Sequence, residues 1–279
     1  MFERLPGAIA RAILMVIMVI TPSLLLPQMS TDATQIVVLV AIFAAALTLF
    51  EYATTYPSLV EFRDAPPFNR IRFLSLFATV FLMSIVVRGS APGSTGEQFI
   101  EAVGTLVGQA MDFPYSPVRL VVLMLPENAS VQDVIMLRTA AGMAYLISLV
   151  SLAVFLIILR ANNWPNHGPS FNVWVNLPTF DPTTGGDVVA RLERDARFNV
   201  ALGFMLPFLT PAVVQLASGY FGSVSLSNAQ TMIWTLSAWA FLPSSLFMRG
   251  IAMQRVANMI AEQRRKKVPD DPDQGLQPA

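Results

Sequence analysis

The chain is expected to be an all-α protein, a polytopic transmembrane helical bundle of six spans with both termini on the same side. Three observations predict this. Thr139 to Leu159, TAAGMAYLISLVSLAVFLIIL, holds 21 residues without a charge, a proline or an amide, between Arg138 and Arg160. At about 1.5 Å rise per residue it covers about 30 Å, the thickness of a bilayer's hydrocarbon core. The mean hydropathy is +0.57 and only 13% of the 279 residues are charged, where a soluble domain has roughly a quarter. Finally, the 18 basic residues sort by side once six spans are drawn.

The first apolar run, 9–26, follows Arg4 and contains Arg11, whose side chain can snorkel to the headgroups; Pro22 is expected to kink or end it. A basic start before an apolar stretch also describes a signal peptide, but no small-x-small cleavage site follows LLLPQ, so the segment is read as a retained span. The second span, 35–52, is rich in alanine at Ala41 and Ala44 to Ala46 and is expected inside the bundle, where small residues let helices approach. A polar segment with Pro66 and Pro67 and the basic residues Arg63, Arg70 and Arg72 leads into the third span, 71–87.

The outer loop, 88–133, carries Phe99, Ile100, Val103, Leu106, Val107, Ala110 and Met111 at the spacing of one helical face, with Gln98, Glu101, Thr105, Gln109 and Asp112 opposite. That pattern predicts an amphipathic helix lying in the interface. Gly104 and Gly108 form a G-x-x-x-G on it, a motif that can seat another helix but is weak outside a span. Val118 to Leu125 is apolar and too short to cross, and could either dip into the membrane or form a strand outside it. Ser130 with Asp133 resembles a capping box, placing the start of the fourth helix near Val131, ahead of its span at 139–159.

In the inner loop, 160–197, Phe171, Val173, Val175 and Leu177 alternate with Asn172, Trp174 and Asn176, which predicts a short strand. Asp187 is expected to cap a charged helix leading into the fifth span, 198–220, which contains Pro207, Pro211 and Gln215 and should be the most broken helix. The sixth span, 230–248, is followed by an amphipathic helix ending in Arg264, Arg265, Lys266 and Lys267. Residues 1–267 thus form one membrane domain, and the acidic, proline-containing tail 268–279 is expected to be disordered.

With the termini inside, fifteen basic residues face the cytoplasm and only Arg88, Arg119 and Arg138 face out, a positive-inside pattern. The near absence of lysine, only Lys266 and Lys267, suggests a GC-rich bacterial genome and hence the bacterial cytoplasmic (inner) membrane. No inverted repeat is visible between the two halves.

Chemistry-bearing groups are few. There is no cysteine, and the single histidine, His167, lacks partners for a metal site or a triad. Thr183 to Asp187 matches no phosphate-loop fingerprint, and no cofactor, metal or nucleic acid is expected. Arg11 and Glu51 are the ionisable groups nearest membrane depth and could lie close together, the plainer reading being interfacial snorkelling. The basic cluster Arg264 to Lys267 should attract anionic lipids. Apolar area outside the spans, at Phe99, Val103 and Leu106 and at Trp164, Trp174 and Phe180, needs covering by lipid or by a protein partner. The expectation is a non-enzymatic accessory, assembly or scaffold subunit of a larger membrane complex, or a homo-oligomer. The alternative is a small transporter or channel for an uncharged or lipid-like substrate, using Pro207, Pro211 and Gln215 with Glu51 and Arg11.

Overall fold

The computed structural model describes residues 4–27, 31–88, 95–126, 128–165, 171–181, 183, 185–221, 226 and 228–267. The tail 268–279, His167 and Thr184 lie outside the described residues, as do the ends of some loops. Helices run in the order α1 (Leu5–Leu25), α2 (Thr31–Ala53), α3 (Phe68–Arg88), α4 (Thr95–Met111), α5 (Pro117–Val122), α6 (Val131–Ala161), α7 (Val173–Asn176), α8 (Val188–Phe221) and α9 (Ala229–Lys267). Six of them, α1, α2, α3, α6, α8 and α9, are long and apolar enough to cross a membrane. This is a multi-pass membrane protein.

The helix starts follow from local chemistry. Ser130 Oγ accepts the N–H of Asp133 while the Asp133 carboxylate accepts the N–H of Ser130, so the capping box forms and α6 begins at Val131. Ser116 caps α5 in the simpler way, accepting the N–H of Arg119. The segment 118–125 is therefore no strand. Its first turn is helical, with Val118 and Val121 buried against α6 and α8.

α1 ends at Leu25, three residues past Pro22, with the Leu26 N–H donating to the Pro22 carbonyl. Three expectations about helix continuity and position need correcting. α8 is one helix of 34 residues through both Pro207 and Pro211, and α9 is one of 39 residues through Pro243, so the sixth span and the amphipathic segment after it are continuous. A proline at position 211 cannot donate to the carbonyl of residue 207; the indole Nε1–H of Trp239 on α9 donates to that carbonyl at 3.1 Å instead. The partner helix thus satisfies the group whose loss would otherwise break α8. Conversely α2, expected inside, lies at the edge of the bundle against α1, with only Val37, Ala41 and Glu51 buried. Its alanines were a poor guide because lipid accepts them as readily as a neighbouring helix does.

The predicted strand at 171–177 is a single helical turn, α7. The Asn172 side chain accepts the N–H of Trp174, and the Asn176 N–H donates to the Asn172 carbonyl. Local capping by an asparagine outcompetes an alternation that finds no neighbouring strand to pair with.

Two seams depend on glycine. A Cβ on Gly108 would lie 2.8 Å from Thr139 Cα, and one on Gly142 would lie 2.6 Å from Gly108 Cα, so α4 and α6 meet backbone to backbone. The G-x-x-x-G of α4 therefore seats a helix of its own chain, leaving Phe99, Val103 and Leu106 exposed on the other side. Between α8 and α9, a Cβ on Gly203 would come within 2.8 Å of the Pro243 carbonyl oxygen, and one on Gly250 within 2.7 Å of that of Ala196.

A candidate ligand cavity at the basic end of the bundle

The two ends of the bundle differ in how they use charge. At one end stand Arg88, Arg119 and Arg138. Each has an acid: Arg88 reaches Glu97 at 3.3 Å, and Arg119 Nε and Arg138 Nη1 lie 2.8 and 3.7 Å from a buried Asp112. The opposite end gathers the loop 54–67, the loop around α7, the start of α8 and the last turns of α9 into a folded cap.

That cap is built on Glu51 and Arg63. Glu51 is 1% exposed, and its carboxylate accepts the backbone N–H groups of Ser58, Leu59 and Val60 at 3.0–3.1 Å together with the Ser58 hydroxyl. Arg63 donates to the carbonyls of Glu51, Thr54 and Thr55, which are left open where α2 ends. Arg11 is not part of this arrangement: its guanidinium donates to the Gly7 carbonyl and lies 4.6 Å from the Tyr52 ring centroid. The proximity pair of Arg11 and Glu51 is replaced by two separate local solutions, and Glu51 is an anchor for the loop that turns the chain back.

Phe62 plugs the cap. Its φ of 52° is a costly left-handed conformation for a bulky residue, and it is held by an N–H···O bond to Asn176 at 2.6 Å and by ring contacts with Phe68, Trp164 and Phe171. Phe180, 5% exposed, belongs to the same core, with the Arg191 guanidinium 4.8 Å from its ring. Of the inner-loop aromatics considered for partner binding, Phe180 is thus buried by the chain itself and Trp164 is partly buried against the same core. Trp174 remains 54% exposed, next to Tyr56, Pro57 and Pro178. Glu61 ties the cap to α9, accepting from Arg249 at 2.6 and 2.8 Å and from Thr179. Arg255 donates to the Leu159 and Trp164 carbonyls, and Arg264 pairs with Asp187 across from the α8 start.

Between this cap, α1, α2 and α3 lies a cavity of about 710 Å³. Its polar end is formed by Arg11, Tyr52, Glu61, Asn69, Arg70 and Arg72, and its apolar walls by Leu14, Met15, Met18, Phe73, Leu76 and Phe241. Arg72 is sandwiched, 5.1 Å from the Phe68 ring centroid and 5.7 Å from that of Phe241, and donates to Asn69 Oδ1 at 3.3 Å, while its Nε is buried without a hydrogen-bond partner. The transport candidates of α8 lie elsewhere. Pro207 and Pro211 are buried in the helix seam, Pro211 beside a void of about 60 Å³, and Gln215 Nε2 reaches the Leu123 carbonyl at 3.5 Å.

Sequence reading missed the cavity because its lining comes from five separated segments, 7–18, 48–52, 59–61, 69–76 and Phe241. The only visible hint was three arginines, Arg11, Arg70 and Arg72, placed just inside helix ends. No known protein family, no curated protein and no solved structure matches this chain.

Proposed function

We propose that this is a non-enzymatic integral protein of the bacterial cytoplasmic membrane, with both termini cytoplasmic, that acts as an accessory, assembly or scaffold subunit of a larger membrane complex. The observation that carries the reading is α2. A helix of 23 residues packs mainly on α1, its buried Val37 and Ala41 joining a small cluster with Phe73 and Leu76 of α3, and Ile36, Leu39, Phe43, Ala46 and Phe50 are exposed. Such a face, with small residues among large ones, suits either lipid or a further transmembrane helix. The outer side of α4, at Phe99, Val103 and Leu106, and the exposed Trp174 add two more apolar surfaces beyond the spans. The clustering of fifteen basic residues on one side supports the cytoplasmic assignment of that end, where Arg264 to Lys267 would meet anionic lipids.

The test is purification of tagged protein at natural expression level in native nanodiscs, followed by mass spectrometry. Stoichiometric co-purification of another membrane protein, weakened by Phe43→Ser on α2 or by Trp174→Ala, is the expected result. A lone chain unaffected by either substitution overturns the proposal. A second reading, handling of a lipid-like molecule, is favoured by the cavity beside α1 and α3, which offers room that the prolines of α8 do not.

A further inference from the structure

Many basic side chains of this protein have an acid or carbonyl partner, and others, Arg4, Arg160, Arg197, Arg265 and Lys266, stand exposed at the surface, but three line one cavity. Among the described residues, Arg88, Arg119, Arg138, Arg249 and Arg264 each have a carboxylate within 4 Å. Arg63 and Arg255 are spent on backbone carbonyls. Arg11, Arg70 and Arg72 have no carboxylate at ion-pair distance among the described residues, and all three line the same cavity. The one acid there, Glu61, is already neutralised by Arg249 through two hydrogen bonds. The polar end of the cavity therefore carries an excess of positive charge, and a buried guanidinium Nε–H on Arg72 that nothing accepts. Leaving such a donor bare is unfavourable, and an oxyanion is the partner that relieves it best, since guanidinium and phosphate or carboxylate oxygens match in geometry.

The remaining walls are apolar and start beside these arginines. Exposed Leu14, one turn further along α1 than Arg11, borders the cavity, while Met18 and Phe73 lie deeper. A volume of about 710 Å³ falls within the roughly 300–1,000 Å³ of small-molecule sites. A bare oxyanion would fill only the basic end. We propose that the cavity is a binding site for one anionic amphiphile, a phosphate ester whose headgroup meets Arg11, Arg70 and Arg72 and whose hydrocarbon chain runs along Leu14, Met18 and Phe73. This goes beyond the accessory role proposed above and does not depend on it.

The same chemistry could be met by a membrane phospholipid or by a soluble phosphate, and the experiment separates them. The full chain is placed in nanodiscs of mixed phosphatidylglycerol and phosphatidylcholine, released, and examined by native mass spectrometry for retained lipid. One phosphatidylglycerol per chain is expected to resist release. Arg11→Gln with Arg70→Gln, both at exposed positions that the fold does not rely on, should reduce its retention at least tenfold, and Arg72→Gln should do the same. Arg264→Gln with Arg265→Gln removes equal charge at the same end but outside the cavity and should leave retention unchanged. Equal loss in the two double variants would reduce the effect to general surface attraction and overturn the site. Unchanged retention in the cavity variants would overturn it as well. Full displacement of the lipid by millimolar inorganic phosphate would overturn the amphiphile and leave a soluble phosphate as the ligand.

Discussion

Replacing Glu51 tests whether the basic end is a folded cap or a loosely held loop. Its carboxylate accepts three backbone N–H groups and one hydroxyl, all from residues 58–60, and is itself 1% exposed. Hydrogen bonds to a charged group contribute about 1.5–3 kcal/mol each in a fully buried setting. Here Ser58 and Leu59 are exposed, so water replaces part of what is lost, and about 1 kcal/mol per donor is the appropriate scale. Glu51→Ala should therefore cost about 3–4 kcal/mol. Glu51→Gln keeps one acceptor oxygen but turns an NH₂ toward a ring of donors, at a cost of about 2 kcal/mol. At roughly 2–4 °C per kcal/mol, the melting temperature falls by on the order of 8 °C for the alanine variant and 4 °C for the glutamine variant. Trp164, packed against Phe62 in the same cap, supplies a fluorescence reporter in detergent or nanodiscs. The control is Glu97→Gln, in the pair with Arg88 at the other end, which should melt with the wild type because that pair is solvent-screened. If Glu51→Gln also melted with the wild type, the carboxylate would not be the anchor of this loop. Glu51 would then return to the ionisable groups that transport could use.

Three further outcomes follow from the geometry. Gly108→Leu has to push α4 away from α6, because its Cβ would meet Thr139 Cα at 2.8 Å and the Arg138 carbonyl oxygen at 2.9 Å; a destabilisation of about 1–3 kcal/mol should show as faster proteolysis within α4, whereas Ala102→Leu on the exposed side should not. The absence of native cysteine allows single-cysteine mapping, and an impermeant maleimide added to intact spheroplasts should label Gln109→Cys but not Tyr56→Cys; the reverse pattern would invert the topology. The Arg264 guanidinium holds the Asp187 carboxyl below its ordinary value, aided by the N–H groups of Ala190 and Val189. A carboxyl depressed in the folded state contributes stability above its unfolded pKa, near 4, and loses it as pH falls through the lower folded value. Between pH 7 and pH 3 the exchange protection of the first turn of α8 should therefore decline in the wild type and change less in Asp187→Asn.

The spans were legible because they rest on composition over twenty or so residues, which no local contact can reverse. Ser130 and Asp133 were legible for the opposite reason: a capping box is complete within four residues. What failed lay between these scales. The alternation from Phe171 to Leu177 is real, but a strand needs a neighbour, and the Asn172 side chain made a turn before any neighbour could matter. The prolines of α8 predicted a broken helix because sequence cannot see that Trp239 would donate to the carbonyl that Pro211 leaves open. Arg11 and Glu51 looked like a pair only because nothing in the sequence announces that residues 58–60 turn their N–H groups onto Glu51.

The placement of the cavity follows from an imbalance in the packing. α3, α6, α8 and α9 share large buried clusters at the two ends of the bundle, whereas α1 and α2 meet α3 through a smaller cluster of Met18, Val19, Val37 and Ala41. The seam between the α1–α2 pair and the rest thus holds less buried apolar core than either of those clusters. Its basic rim, however, is rigidly set: Asn69 donates to the Glu61 carbonyl, and Glu61 is fixed by Arg249 and Thr179. A site with one wall fixed by ion pairs and the other held mainly by side-chain packing can admit a long-chain ligand sideways from the bilayer without unfolding its polar end. Tightening that seam, by Ala44→Leu on the α2 side that meets the small cluster, should therefore slow lipid exchange while leaving the melting temperature of the cap unchanged. A loss of cap stability in that variant would mean that the two walls move as one body and that entry needs another route.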